Sequence, residues 1–237
     1  MADTETLDDL VRRVDPDRWL ASRFIADPAA RADVIALYAF NYELARVAGG
    51  VSNALMGEIR LTWWREAMDE LAAGKAPRKH PNVEALAASG IDPLALAAMA
   101  EARFADLDEV PPEDEGRVLA YIDATAGALA VLAARRLDVS ADPHAVKGAA
   151  RAYGLAGLWR LKQAGRSRLP DAWTPVDLAR RVAEQLKAAR REVRGLPVAA
   201  FPAIATAALA GPYARERDPG ELEKKARLTW SVATGRV

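Results

Sequence analysis

Residues 27–50 read DPAARADVIALYAFNYELARVAGG. The opening Asp-Pro pair marks a helix start. The carboxylate accepts from N–H groups that a first helical turn leaves without partners, and proline at the first position gives up no bond. Val34, Leu37 and Tyr38, Asn41, Leu44 and Ala45, and Ala48 then recur at helical spacing on one stripe. Gly49-Gly50 ends the run. The stretch predicts an apolar helix over 28–48 that carries Asn41, Glu43 and Arg46 close to its end.

The same punctuation recurs outward from there. Asp15-Pro16, Asp92-Pro93, Asp142-Pro143 and Thr174-Pro175 each read as a helix start, and Ser52 reads as the cap of the next helix. Gly74, Gly90, the 138–142 segment, Gly165 and Gly195-Leu196-Pro197 read as stops. Helices are predicted near 16–25, 28–48, 53–73, 82–89, 93–108, 113–137, 143–164, 175–194, 199–210 and 220–234, with another near 5–13. No sustained alternation or Asn-Gly hairpin signals a strand. Residues 74–81, GKAPRKHP, read as a polar loop rather than a linker. The expectation is an all-α fold in one domain over 1–237.

Composition narrows the chemistry. Lys plus Arg and Asp plus Glu both number 33, so the formal net charge is zero and nothing electrostatic favours nucleic acid. The absence of cysteine removes disulfides, thiolate metal sites and cysteine nucleophiles. His80 and His144 are the only imidazoles, too few for a multi-histidine metal site. The polar, acidic start lacks the apolar core of a signal peptide, and no stretch approaches the ~20 apolar residues of a membrane span. A cytoplasmic protein is expected, with room for peripheral contact at the inner membrane.

Helical enzymes without His or Cys work with carboxylates and magnesium, which needs acidic side chains one turn apart. Glu66, Asp69 and Glu70 meet that spacing, as do Asp106 with Asp108 and the run Glu113-Asp114-Glu115. Each also reads as a solvated face or a first turn complementing the helix dipole. Neither histidine sits in a Ser or Asp context suggesting a catalytic triad.

The order of several longer stretches resembles the squalene/phytoene synthase family. These are DRWLASRFIADPAARADVIALYAFNYELARV, GEIRLTWWREAMDEL, HPNVEAL, YIDATAGALAVLAARRL, RAYGLAGLWR and GRSRLP. The resemblance runs from about Asp17 to Pro170. It implies an antiparallel helical bundle around a deep apolar central cavity. In active members two aspartate-rich motifs hold magnesium, which binds and withdraws diphosphate during head-to-head condensation of isoprenoid diphosphates. At the matching positions of the first motif stand Ala45, Arg46 and Gly49, and LKQAG follows Arg160 where the second motif carries aspartates. AFNYELARV, GEIRLTWW and the later LPVAAFPAIATAALAGPY look like the aspartate-poor branch that includes a mitochondrial assembly factor for respiratory complex I.

The resemblance places Tyr121 and Thr125 along the cavity and Arg160, Arg166 and Arg168 at its mouth. Asn41 and Arg46 complete the candidate binding set, and no catalytic or metal-ligating residue is assigned. Each residue also has a plain reading. Asn41 reads as a buried amide bonded to backbone, Tyr121 and Thr125 as helix packing, the arginines as a solvated basic helix end, and Trp63-Trp64 as core. Three functions follow. The first is a non-catalytic, cofactor-free member that binds an isoprenoid-like or other apolar molecule, or a respiratory-complex subunit. The second is a magnesium-dependent prenyltransferase using Glu43, Glu66 and Asp69. The third is a scaffold with a filled cavity. In the tail, Leu228 and Trp230 read either as packed residues or, for Trp230, as an exposed indole beside basic groups.

Overall fold

The computed structural model describes residues 5–51, 53–108, 110–163 and 168–237. Regular structure among the described residues is all-α: twelve α-helices, several 3₁₀ segments, one π turn and no strand. The chain divides into two compact units, Met1–Asp108 and Glu109–Val237.

The first unit holds α1 (Leu7–Val14), α2 (Pro16–Ser22), α3 (Pro28–Ala45), α4 (Ala54–Ala72), α5 (Pro81–Ala88) and α6 (Pro93–Ala102). The side chains of Asp15, Asp27 and Asp92 accept first-turn N–H groups, as the Asp-Pro pairs predict. α4 is capped by Asn53; Ser52, the expected cap, lies outside the described residues. Gly74 (φ +73) and Gly90 (φ +70) follow the ends of α4 and α5 in the left-handed conformation that suits glycine.

Every side chain from Val34 to Phe40 is buried, so α3 runs through the middle of this unit. α1, α2 and α5 pack around it. Asn82 of α5 donates from Nδ2 to the Ala36 carbonyl at 2.8 Å, and Phe40 meets Trp64 of α4 edge-on at 5.6 Å. α4 lies along α6. α3 ends at Ala45 and continues as a 3₁₀ turn over Ala48–Gly50, short of the expected boundary. The helix expected over 93–108 likewise tightens to 3₁₀ geometry over Arg103–Leu107.

The second unit holds α7 (Glu115–Ile122), α8 (Ala128–Leu137), α9 (Pro143–Gln163), α10 (Pro175–Glu192), α11 (Ala210–Ala214) and α12 (Glu221–Thr234). α7 and α8 are joined without a break by a π turn over Asp123–Gly127. The helix expected over 113–137 therefore exists from Glu115 to Leu137, and Val118, Ile122, Thr125, Leu129 and Ala133 keep its buried stripe at helical spacing through the π turn. The turn's first residue is engaged by a neighbouring helix. Arg151 of α9 forks onto Asp123 with bonds of 2.8 and 2.6 Å, which raises the guanidinium pKa above its ordinary value.

By length and composition Glu115–Leu137 would suit a membrane span, with mean hydropathy 1.5. Its central Asp123 is paired, however, and Val118, Ile122, Leu129, Ala133 and Ala134 are buried within the unit. Those are the features of a core helix.

α9 is the central helix here, contacting α7, α8, α10 and α11. Gly154 permits the close approach, since a methyl at that position would stand 2.6 Å from Ile122 Cγ2. Gly154→Ala should therefore cost about 1–3 kcal/mol, the range for overpacking a filled core. Chemical denaturation measures it, and an unchanged midpoint would show that Ile122 yields freely.

The helix expected over 199–210 is absent as such. Two 3₁₀ segments, Val198–Ala203 and Ala205–Leu209, precede the short α11. Pro202 lacks the N–H an α-turn would use, and 3₁₀ geometry accommodates it. α12 settles the tail in two parts: Leu228 is fully buried, whereas Trp230 remains 51% exposed.

Candidate functional site

In the first unit the candidates lie at the end of α3. Asn41 is half-buried and accepts at Oδ1 from Arg103 Nη2 at 2.8 Å, while Arg103 Nη1 donates to Asp106 at 3.2 Å. The amide is thus bonded to a guanidinium rather than to backbone, which corrects the expected partner. Arg46 is exposed; its guanidinium meets the Glu43 carboxylate at 2.7 Å and lies over the Tyr42 ring. Ala45 and Gly49 are exposed and carry no polar side chain.

Of the other carboxylates expected at an active centre, Glu66 is engaged elsewhere together with its neighbour Glu70. Arg78 from the 74–80 loop binds Glu70 at 2.7 Å and Glu66 at 3.2 Å, drawing the Glu70 pKa below the usual carboxylate range. Asp69 is exposed. Trp64 is buried and Trp63 lies at the surface, with the His80 ring beside both. Among the described residues no three carboxylate or imidazole side chains come together as metal ligands. Magnesium does not fit this donor set. Glu43 is the acid nearest to Ala45, Arg46 and Gly49 in sequence, and its charge is met by Arg46. Residues 161–167, LKQAGRS, contain no carboxylate at all.

In the second unit two small clusters form. Thr125 sits in the π turn, is buried, and donates from Oγ1 to the Tyr121 carbonyl at 2.8 Å. Arg168 stands over the Tyr121 ring at 5.7 Å. Tyr121, Thr125 and Arg168 are therefore neighbours. Arg160 belongs to the other cluster: its guanidinium covers Tyr213 at 4.7 Å, and Tyr153 lies 6.4 Å from that ring. Arg166 lies outside the described residues.

Arg103, Asp123, Arg151, Tyr153 and Tyr213 were not among the candidates read from the sequence. Asp123 and Arg151 are 28 positions apart, so no local spacing announces their pairing. Tyr213 closes the stretch LPVAAFPAIATAALAGPY, which resembles the aspartate-poor branch.

Comparison with known proteins fits this all-α architecture. The model of the squalene/phytoene synthase family matches residues 11–174, well over half the chain. The chain belongs to the squalene/phytoene synthase family. Among curated proteins it is similar to NADH dehydrogenase (ubiquinone) complex I, assembly factor 6. Identity to the Homo sapiens protein is 27% over 154 residues, covering 62% of this chain and 45% of that one. Identity to the Mus musculus protein is 26% over 176 residues, covering 72% and 52%. The chain thus spans about half the length of the curated relatives it matches. A dehydrosqualene synthase solved in complex with ligand superposes with a TM-score of 0.73 over 96% of this chain and 94% of that one. At 16% identity that likeness shows the fold alone.

Proposed function

We propose that this family member does not ionise isoprenoid diphosphates. It acts by binding, and it supports assembly of a respiratory complex. The carrying observation is the end of α3 and the turn after it, where Ala45, Arg46 and Gly49 stand at positions that the family resemblance expects to be acidic and Arg46 neutralises Glu43. Diphosphate departure needs its developing charge offset, and a metal held by carboxylates is how the family resemblance supplies that. A guanidinium binds phosphate well but does not replace the metal cluster.

Similarity to complex I assembly factor 6 supports the role in assembly, and the coverage of about half that protein's length makes the role a proposal for this chain. In this reading residues 1–237 act as one family domain, supported by a family match that runs across both units. The ligand is an isoprenoid-like or other apolar molecule, or a respiratory-complex subunit, and no cofactor is needed. Asn41, Arg46, Tyr121, Thr125, Arg160, Arg166 and Arg168 are the residues proposed to meet it. Work takes place on the cytoplasmic side, beside the inner membrane.

Genetic replacement tests this. Cells lacking the protein should show less assembled complex I on native gels, and Glu43→Gln should restore it fully. A Glu43→Gln protein that folds by circular dichroism yet restores nothing would show that the carboxylate performs chemistry. An unchanged complex I level in the deletion strain would remove the assembly role.

A further inference from the structure

The last part of the second unit carries two grooves that share Arg190, Trp230 and Val237. The first has a volume of about 780 Å³. It is built from the end of α10, the 193–201 segment and the end of α12. Val193, Leu196, Phe201 and Val232 give it apolar walls, and its charged lining residues are three arginines, Arg190, Arg194 and Arg236, with no carboxylate side chain. The chain as a whole has zero formal net charge, so this is a local concentration of one sign.

The state of the arginines matters. Arg190 Nε donates to the Val237 carbonyl at 2.7 Å. Arg194 and Arg236 are exposed, and among the described residues neither side chain has a hydrogen bond or ion pair. In the adjoining groove Arg227 binds Glu223, which Arg217 also grips. Those two guanidinium groups hold the Glu223 pKa down to about 2. The adjoining groove also carries the exposed Arg215, but it holds the Glu223 carboxylate as well, so only the first groove is lined by arginines with no carboxylate side chain. Two of its apolar lining residues stand in water, Trp230 at 51% exposure and Val198 at 72%.

We propose that this groove docks the protein onto an anionic bilayer: Arg190, Arg194 and Arg236 meet lipid phosphate groups, and Trp230 and Val198 enter the interfacial layer. An indole with one apolar side and a polar N–H suits that layer, and arginine forks onto phosphate. Each basic group near an anionic membrane surface adds to the attraction, which fades within a Debye length and weakens with salt. A soluble anion would use the arginines but leave the exposed indole and valine in water. The inference is independent of whether the family site is catalytic.

Cosedimentation of the full chain with vesicles tests it, using phosphatidylcholine alone and phosphatidylcholine mixed with phosphatidylglycerol. Binding is expected to the mixed vesicles only, and to weaken as salt is added. Arg194→Gln/Arg236→Gln should reduce it roughly 10- to 30-fold. Both residues are exposed, and circular dichroism confirms that the variant folds. Arg135→Gln, on an exposed arginine of α8 outside the groove lining, should bind as before. Brominated lipid should quench tryptophan emission, and Trp230→Phe should remove most of that quenching. Equal binding to neutral vesicles, or full binding by the double variant, would overturn the proposal. Association with inorganic phosphate but not with mixed vesicles would replace the bilayer with a free anion.

Discussion

Phe40→Ala should lower unfolding stability by about 3–5 kcal/mol, the largest effect expected of any single truncation in the first unit. Phe40 is fully buried at the end of the buried run on α3, and its ring meets the edge of Trp64. Removing it deletes apolar contact and an aromatic pair, and the cavity is hard to close. Leu37 and Leu44 on α3 are themselves buried and held by the helix backbone. Denaturant titration, followed by the fluorescence of Trp64 and its neighbours, measures the loss. A loss below about 1 kcal/mol would mean that the site collapses around the gap and that α3 is not the rigid centre of its unit.

Leu228→Ala should cost about 2–4 kcal/mol, while Trp230→Ala should cost less than about 1 kcal/mol. The two residues are two positions apart in α12, on opposite sides of the helix, and differ in burial: Leu228 is fully enclosed, and Trp230 is half exposed. α12 packs through Leu228 and Ser231 and contacts the 205–209 segment. Truncation after Asp218 should therefore expose apolar surface in the second unit and promote aggregation, because the helix is structural even though part of it faces water. Comparable losses for both substitutions would indicate that Trp230 is anchored as firmly as Leu228, and would weaken the case for a membrane-facing indole.

Much of this fold could be read from local chemistry. Asp-Pro pairs located the starts of α2, α3, α6 and α9, because both the cap and the proline act within one turn. The limits of such reading are equally physical. Nothing near Asp123 in the sequence announces its pairing with Arg151 of another helix, and no local signal marks the π turn at Asp123–Gly127. Pro202 in LPVAAFPAIATAALAGPY withholds an N–H from any α-helix over 199–210, and the alanines around it, good helix formers, do not restore that bond. Leu228 and Trp230 do not share a clean stripe with Leu222, so only tertiary packing could separate the buried residue from the exposed one.

The candidate site was legible to a different degree. That Ala45, Arg46 and Gly49 stand where acidic residues are expected comes from the family resemblance, whereas Arg46 near Glu43 follows from helical spacing. Arg103 meeting Asn41 across 62 positions does not follow from spacing, nor does Tyr213 beneath Arg160. Those contacts depend on how separate helices come together. They also show why Asn41 alone is a poor marker of a ligand site: its amide oxygen is already engaged.

The central claim is that this family scaffold binds without ionising a prenyl diphosphate. Its most direct test is release of inorganic pyrophosphate from farnesyl or geranylgeranyl diphosphate by the purified full chain, with magnesium present and then chelated. The expected result is no release above the rate without protein, the same in both conditions. Release that requires both protein and magnesium, and that disappears in Glu43→Gln, would contradict the account and make this an active prenyltransferase.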